Sequence, residues 1–329
     1  MASSPFGAFD VRLDPWAAEY GGELPFETDA AESTEDVDLD IERPADAWSA
    51  VTPVGGELTA TVVFVDGVRR VEGRLLARRD QRLIHGVIGS YGVGAVRVED
   101  GRAACCYEQI GHLAVLGCGE RLPGAFDLGS ALIYQPASSP RDDAEGPPLV
   151  VFEAMRAAEG ELARRCAAEA ATLVIADGPL TFGEASRGHA LGFVKRFFKL
   201  YVGSSQVTVL ASLGVGSRSP LFHIRGGTRF GRFSWFTRLA SRLPIDAHLT
   251  GLARLEIADV VGFETARSLA DTVTVLLPRF VPSRGRDPRA PQNLLPIGAL
   301  EAHLRRRLGD PRVIRRRLAD LILQEGVRA

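Results

Sequence analysis

The first strongly apolar stretch of the chain is a β-branched run over residues 59–67, TATVVFVDG, which ends in Asp66 and Gly67. The run shows no polar alternation, so it predicts a strand buried on both faces. A second such run, TLVIADGPL, occupies residues 172–180 and carries Asp177-Gly178. Asp-Gly is a common turn dipeptide, and a hairpin connection is plausible at the first site. The alternative is that both aspartates project from the sheet into one site.

A helical pattern precedes the second strand, over about residues 150–170 (VVFEAMRAAEGELARRCAAEA). At 100° per residue its apolar side chains form one stripe, and Glu159 lies in the middle of that stripe. A glutamate that faces the protein interior is costly unless a positive group meets it. A salt bridge to an arginine and partial exposure are two interpretations, and a carboxylate that faces a metal ion is the third. Glu161 is the next candidate on this helix.

The order of these elements predicts the fold class. A strand with Asp66, further strands punctuated by glycine, a helix with Glu159 and a strand with Asp177 follow one another, as in ribonuclease-H-like nucleases. In those proteins, neighbouring strands and a helix bring three carboxylates around two divalent ions. Later segments continue the α/β pattern, and two arginine-rich helical segments end the chain. We therefore predict an α/β fold with a ribonuclease-H-like core, a mixed sheet flanked by helices, and an α-helical C-terminal end.

The overall composition is that of a globular protein, with 46% hydrophobic residues, 24% charged residues and a formal net charge of −2. The distribution of charge is more informative, because residues 28–46 hold eight acidic residues and one arginine. We expect residues 1–50 to form an acidic, flexible arm and residues 51–329 to form the folded domain. The chain shows no signal-peptide pattern and no apolar run near the roughly 18 residues of a membrane span, which favours the cytoplasm.

Basic residues concentrate in the middle of the chain, where residues 181–240 contain nine lysines and arginines and a single acid. Lys195 and Arg196 lie in a predicted strand, where an ammonium group suits a phosphate beside metal ions, although a solvated strand edge gives the same pattern. Residues 223–238 (HIRGGTRFGRFSWFTR) interleave arginine with aromatic residues. This is typical of a single-strand channel and equally of a half-buried strand. The arginines assigned to DNA in this segment are Arg225, Arg229 and Arg232.

Four motifs in this order resemble those of the NurA family of DNA end-resection nucleases: FVDG (64–67), RAAE (156–159), IADGPL (175–180) followed by GFVKR (192–196), and PQNLLPIGALEAH (291–303). The resemblance implies a NurA-like nuclease domain over residues 51–329, a homodimer, and manganese-dependent cleavage of DNA. It further implies endo- and exonuclease activity on single strands and 5′–3′ resection of duplex ends, in DNA repair or phage defence. The family acts with a hexameric HerA-type ATPase, and this chain has no phosphate-binding loop of its own.

Four site residues follow from the resemblance. Asp66 and Asp177 match the two strand-end aspartates of the family, Glu159 its helix glutamate, and His303 its late histidine. The chain departs from the family pattern at Leu295, where a tyrosine often precedes the proline. That departure weakens the case for unaided activity, so the alternative is a non-catalytic DNA-binding or adaptor subunit of a translocase complex.

The chemistry of phosphodiester cleavage is consistent with these residues. Two divalent ions roughly 3.5–4 Å apart can activate a water and stabilise the leaving oxygen. Carboxylate oxygens suit Mg²⁺ or Mn²⁺, and an added histidine favours Mn²⁺. We predict a two-metal site in which Asp66 bridges the ions and Asp177 and Glu159 complete the carboxylate set. His303 is a further ligand, or else it protonates or orients the scissile phosphate.

Overall fold

The computed structural model describes residues 4–14, 36–53, 61–169, 172–180, 183, 189–197, 199–225, 230–285, 287 and 289–328. In this part of the chain, twelve strands form one mixed sheet. The strands are β1 (Asp10–Leu13), β2 (Val37–Asp38), β3 (Thr61–Arg79), β4 (Arg82–Glu99), β5 (Arg102–Leu116), β6 (Phe126–Asp127), β7 (Ile133–Ser138), β8 (Thr172–Asp177), β9 (His189–Val194), β10 (Phe222–Ile224), β11 (Arg232–Arg238) and β12 (Leu252–Ala258). The α-helices are α1 (Gly146–Ala167), α2 (Ser204–Ser212), α3 (Phe263–Leu276), α4 (Leu295–Arg307) and α5 (Pro311–Arg328).

The strand order confirms the predicted ribonuclease-H-like core. Across the sheet the order is β2-β10-β11-β12-β9-β8-β3-β4-β5-β7-β6, with β1 also beside β3. Strands β3, β4 and β5 form a long antiparallel meander. Helix α1 then leads to β8, which is parallel to β3, and β9 is parallel to β8. Because the carboxyl ends of parallel strands lie at the same edge of a sheet, this topology gathers the residues that end β8 and β9.

Strand β3 runs through Asp66 and Gly67 without a turn, so the predicted hairpin connection at this dipeptide is wrong. The turn between β3 and β4 is formed by Asp80 and Gln81, whose φ angles of 48° and 66° are those required by a tight two-residue connection. Apolar patterning located the strand correctly. The Asp-Gly dipeptide does not mark the end of the strand. Gly67 lies inside β3, at a point where α1 packs closely against it.

The two faces of the central strands pack against different helices. Val65 of β3 packs with Met155 of α1. Phe64, which points the opposite way, packs in the core that includes Ile297 of α4. Side chains alternate along a strand, so Asp66 lies on the Phe64 side, towards α4.

Two parts of the predicted acidic arm belong to the sheet. Strand β1 pairs with β3 and strand β2 pairs with β10, while residues 15–35 lie outside the described residues. Trp48 is buried in the core near α2. Glu42 accepts hydrogen bonds from both terminal nitrogens of Arg218, at 2.7 and 2.8 Å. Residues 36–53 are therefore part of the fold, and their acidic side chains neutralise basic residues of the sheet.

The replacement Glu42→Gln is expected to lower the free energy of unfolding by about 2 kcal/mol, because a buried guanidinium loses one of two carboxylate partners. Arg218 is only 1% exposed, and its remaining carboxylate is Asp271, 2.7 Å from Nε. Urea denaturation measures the change. Glu264→Gln removes an exposed ion pair on α3 and is the matched control, with an expected change below about 0.5 kcal/mol. Equal losses in the two variants would contradict the prediction.

The extent of β7 and the end of β9 differ from what the sequence pattern predicts. Residues 135–148 (QPASSPRDDAEGPP) are rich in proline, serine and aspartate, which predicts a loop, but β7 extends into them to Ser138 because it pairs with β5. Strand β9 ends at Val194, so Lys195 and Arg196 follow the strand rather than lying within it. Among the described helices, none combines the length and apolar character needed to cross a bilayer.

Candidate active site

Asp66 and Asp177 lie on adjacent parallel strands and face the same side of the sheet. In the β3–β8 pair, Val65 is opposite Ala176, so the aspartates that follow them are at the same level. Asp66 is 4% exposed in the middle of β3, whereas Asp177 ends β8. The parallel register therefore places the two carboxylates side by side under α4.

A third carboxylate reaches this place from α4. Carboxylate oxygens of Asp66, Asp177 and Glu301 all lie within 4.8 Å of one another. Glu301 is buried next to Leu300 and Leu304, which pack α4 against the sheet. In the described part of the chain, these three acids form the cluster best suited to a metal ion.

The sequence carried a signal for Glu301 that the motif-based prediction did not use. Ile297, Leu300 and Leu304 form the apolar stripe of α4, and Glu301 is four residues after Ile297, on the same side of the helix. A glutamate beside a buried stripe is the pattern that singled out Glu159. The motif drew attention to His303 instead.

Glu159 approaches from the other face of the sheet and is held by an arginine. Its Oε2 accepts a hydrogen bond from Arg156 Nη1 at 2.6 Å. Arg156 also donates to the carbonyl oxygens of Asp177 and Pro179, at 3.1 and 2.6 Å. The contacts of Glu159 are therefore those of the salt-bridge interpretation. Through Arg156, this salt bridge also attaches α1 to the loop that carries Asp177. Gly178, with a φ of 84°, gives that loop its left-handed turn.

Gly67 makes the approach of α1 to β3 possible. A Cβ atom at this position would lie 2.7 Å from Glu159 Oε1 and 2.9 Å from Met155 Cγ. Because Gly67 faces α1 while Asp66 faces α4, the Asp-Gly pair serves two helices on opposite sides of one strand.

The replacement Gly67→Ala is expected to lower the free energy of unfolding by about 2 kcal/mol, because the added methyl group overpacks this contact. Guanidinium denaturation measures the loss. Gly124→Ala is the control, since a Cβ at Gly124 meets no atom within 4 Å. If the two alanine variants were equally stable, the proposed packing requirement at Gly67 would be incorrect.

Lys195 supplies the positive charge of the site. Its Nζ lies 2.7 Å from Asp177 Oδ2 and donates a hydrogen bond to Asn293 Oδ1 at 2.9 Å. Asn293 Nδ2 in turn donates to Asp287 Oδ2 at 2.9 Å, which fixes the orientation of the amide. Asn293 and Asp287, which precede α4, thus fix the position of the Lys195 ammonium group just after β9.

The loop after β8 is anchored by a buried carboxylate. The Leu180 backbone N–H donates to Glu256 Oε1 at 2.8 Å. Arg254 Nη1 is 2.7 Å from Glu256 Oε2, and Arg232 Nε is 3.2 Å from the same oxygen. Burial would raise the pKa of Glu256, but Arg254 and Arg232 lower it overall. Glu256 on β12, neutralised by Arg254 and Arg232, therefore fixes the loop that follows Asp177 through its hydrogen bond with Leu180.

Burial strongly perturbs the acids of the site. It raises the pKa of Asp66 well above its ordinary value, and repulsion from Asp177 and Glu159 adds to the effect. Burial also raises the pKa of Glu159 to about 7, although Arg156 opposes the shift. Burial alone would lower the pKa of Lys195, but Asp177 and Asp66 raise it overall. The folded chain thus favours the protonated, uncharged forms of Asp66 and Glu159 more than an exposed site would.

Two oxygen atoms of the cluster provide a direct test of whether a metal ion fits. Asp66 Oδ2 and Asp177 Oδ1 are buried and have no hydrogen-bond partner. Buried polar atoms without partners are rare in native proteins, and a binding site for an ion is one explanation. The donor set of Asp66, Asp177 and Glu301 consists of oxygen atoms, which Mg²⁺ and Mn²⁺ prefer. The residues therefore fit a hard divalent cation.

His303 does not join the carboxylates. It lies two residues after Glu301, about 200° around the helix axis, so the two side chains leave α4 in different directions. His303 Nε2 is 2.7 Å from Glu108 Oε2 on β5, and Arg307 contacts the same glutamate. The geometry places His303 in an ion pair with Glu108 and not in the carboxylate cluster.

The residues predicted to bind DNA occupy different environments. Arg232 is buried in β11 against Glu256, so its guanidinium serves the fold. Arg225 forms ion pairs with Asp36 and Asp38 at the end of β10, which β11 and β12 separate from β9. Arg229 lies outside the described residues. Arg196 is exposed beside Lys195 and stays a predicted DNA contact.

Three of the aromatic residues of 223–238 belong to the core. Phe233 and Trp235 pack in the central cluster, and Phe236 packs in the cluster near α2. Every residue of β11 is buried. The two interpretations of this segment were a single-strand channel and a buried strand. The described residues fit the buried strand, so Phe233, Trp235 and Phe236 are not exposed to a nucleic acid.

Among known proteins, the chain has a partial likeness to solved structures. No protein-family model matches the chain, and no curated protein matches it. Among solved structures, the chain is similar to the crystal structure of the NurA nuclease from Sulfolobus solfataricus, with a TM-score of 0.45 and 12% sequence identity. The match covers 78% of this chain and 81% of that one.

Proposed function

We propose that the protein is a divalent-metal-dependent nuclease that hydrolyses phosphodiester bonds in DNA. The observation that carries this proposal is the pair of buried, unpartnered oxygens on Asp66 and Asp177, beside Glu301 and within reach of Lys195. An acidic group that binds a cation, next to a fixed ammonium, suits a substrate that is itself an anion.

Each residue of the site has a part in this chemistry. Asp66, Asp177 and Glu301 would hold the metal ion, which when bound polarises the phosphate and lowers the pKa of a bound water. Arg289 contacts both carboxylate oxygens of Glu301, at 2.9 and 2.7 Å, and so orients it. Lys195, in contact with Oδ2 of Asp177, is placed to meet negative charge on the phosphate group.

The finer features come from the motifs of the chain. The FVDG, IADGPL and PQNLLPIGALEAH segments supply Asp66, Asp177 and Glu301, and their resemblance to the NurA family supports DNA as the substrate. On the same basis we propose Mn²⁺ as the preferred ion, with Mg²⁺ as a substitute, and action on single strands and on 5′ duplex ends. We further propose a homodimer that works in the cytoplasm with a hexameric HerA-type ATPase, in DNA repair or phage defence.

The alternative of a non-catalytic DNA-binding adaptor gains no support from the site. An adaptor has no need to bury unpartnered carboxylate oxygens, which is costly without a bound cation. Leu295 stands where the family often has a tyrosine, and it is 41% exposed at the start of α4. With leucine at this position, Asp177 and Lys195 are still in contact.

The test is degradation of end-labelled single-stranded and blunt duplex DNA with Mn²⁺, Mg²⁺ or EDTA. We expect cleavage with Mn²⁺ that EDTA abolishes, and 5′- and 3′-labelled strands to report its polarity. A preparation of Asp177→Asn, purified in the same way, controls for contaminating nucleases. Tight DNA binding without cleavage, even with a HerA-type translocase present, would refute the proposal and favour the adaptor.

A further inference from the structure

The two aspartates of the site each have one engaged and one open oxygen. Asp177 Oδ2 is 2.7 Å from Lys195 Nζ, while Asp177 Oδ1 is buried without a partner. Asp66 Oδ1 accepts the Gly67 backbone N–H at 2.7 Å, while Asp66 Oδ2 is buried without a partner. A bridging aspartate in a two-metal site uses both oxygens for cations. Here the second cation that contacts Asp177 is already present, as an ammonium group.

We propose that Lys195 takes the place of a second metal ion, so that each chain binds a single divalent cation. The inference rests on the proposed function, and it replaces the two-metal site predicted from the sequence. The open oxygens of Asp66 and Asp177, with Glu301, define the one metal position. The Asp177 carboxylate then joins that position to Lys195, as a bridging carboxylate joins two ions.

The surroundings of Lys195 hold its ammonium in this role. Asn293, which is 1% exposed, accepts a hydrogen bond from Nζ and is itself oriented by Asp287. Gln292 Nε2 donates to the Lys195 carbonyl oxygen at 3.3 Å, which fixes the backbone as well. A side chain held at its head group and its backbone behaves as a permanent component of the site rather than a mobile surface lysine.

The charge of the site also favours one ion. The three acids of the cluster contact two cations, Lys195 and Arg289. Arg289 also pairs with Asp287, so the group carries two more negative charges than positive ones. One divalent ion would balance this excess. A second divalent ion would leave the centre positive, with one ion close to a fixed ammonium in a buried environment.

Lys195 would then contribute to the reaction directly. A fixed ammonium beside the residues that would hold the metal ion would stabilise charge on the phosphate oxygens, which is the electrostatic role that a second metal ion has in two-metal nucleases.

The test is Mn²⁺ binding followed by electron paramagnetic resonance, which distinguishes an isolated Mn²⁺ from a spin-coupled pair without reference to activity. We expect the wild-type chain to bind one Mn²⁺ with the spectrum of an isolated ion. Lys195→Met should bind two ions that are spin-coupled, because the competing ammonium is gone. Lys195→Arg, which keeps a cation, should bind one ion. The chain has only one other lysine, and Lys199→Met is the matched control, with one ion expected.

The possible results separate the two proposals. A coupled pair of Mn²⁺ ions in the wild-type chain would overturn the role of Lys195 and leave the proposed nuclease intact. A Lys195→Met variant that still binds one ion would also overturn it, provided that its thermal melt shows a folded protein. If Lys195→Met does not fold, Lys195→Gln takes its place with the same expectation. No Mn²⁺ binding to the wild type would refute the metal site, and both proposals with it.

Discussion

Replacing Asp66 or Asp177 with asparagine is expected to reduce metal-dependent DNA cleavage by about a thousandfold. Each change converts a buried carboxylate whose open oxygen has no other partner into a neutral amide. A bound divalent ion contributes several kcal/mol of transition-state stabilisation, and about 4 kcal/mol corresponds to this loss of rate. Single-turnover cleavage of a short single-stranded DNA measures the rate, and calorimetric titration with Mn²⁺ measures the affinity.

The same experiment decides which glutamate serves the metal ion. Glu301→Gln should weaken Mn²⁺ binding more than Glu159→Gln, because Glu301 lies in the carboxylate cluster, whereas Glu159 approaches from the other face of the sheet. Asp80→Asn is the matched control for the aspartate variants, since it lies at the β3–β4 turn, where asparagine tolerates a positive φ. Cleavage at the wild-type rate in Asp66→Asn or Asp177→Asn would rule out the metal site described here.

Without metal ions, the stability of the protein should carry a penalty that grows as the pH rises from about 4.5 to 7. Burial raises the pKa of Glu159 from 4.5 to about 7 and raises the pKa of Asp66 as well. A folded state with raised acid pKa values binds more protons than the unfolded state, so this contribution favours folding at low pH. It is lost as the pH rises through the folded-state values, and a Glu159 shift of this size corresponds to about 3 kcal/mol.

Thermal melts in EDTA between pH 5 and pH 8 isolate this effect when the wild type is compared with Glu159→Gln. The glutamine stays neutral, so its melting temperature should exceed that of the wild type by an amount that increases with pH, to about 6 °C at pH 8. Saturating Mn²⁺ should remove most of the difference, because the cation compensates the carboxylates, and its stabilising effect should be larger at pH 8 than at pH 6. A difference independent of pH would show that the Glu159 pKa is not raised.

The strands that carry the site could be predicted from the sequence because burial on both faces leaves an uninterrupted apolar run. Residues 61–66 and 172–177 have this pattern, and the helix before the second run shows a clear period. The pairing of Asp66 with Asp177 follows from the order of the elements, which is that of ribonuclease-H-like folds, in which these two strands are neighbours. These inferences depend on local patterns and one topological rule, and both are contained in the order of residues.

The third carboxylate shows where such reasoning stops. Periodicity identifies Glu159 and Glu301 alike as glutamates beside an apolar stripe of a helix. It does not say which face of the sheet each helix covers, and only that choice decides which of them joins the aspartates. Arg232 and Trp235 illustrate the same limit, because arginine and aromatic residues alternate both in a DNA channel and in a buried strand.

By itself, then, the sequence determined the class of fold, the two aspartates and the lysine-bearing segment, because hydrophobic periodicity and strand order are local properties. Only the tertiary structure decided that α4 rather than α1 supplies the third acid. It also decided that Asn293 holds Lys195 against Asp177, and that the arm's acids neutralise Arg218 and Arg225. These outcomes depend on contacts between residues far apart in the chain, and such contacts are set by how helices pack on the sheet.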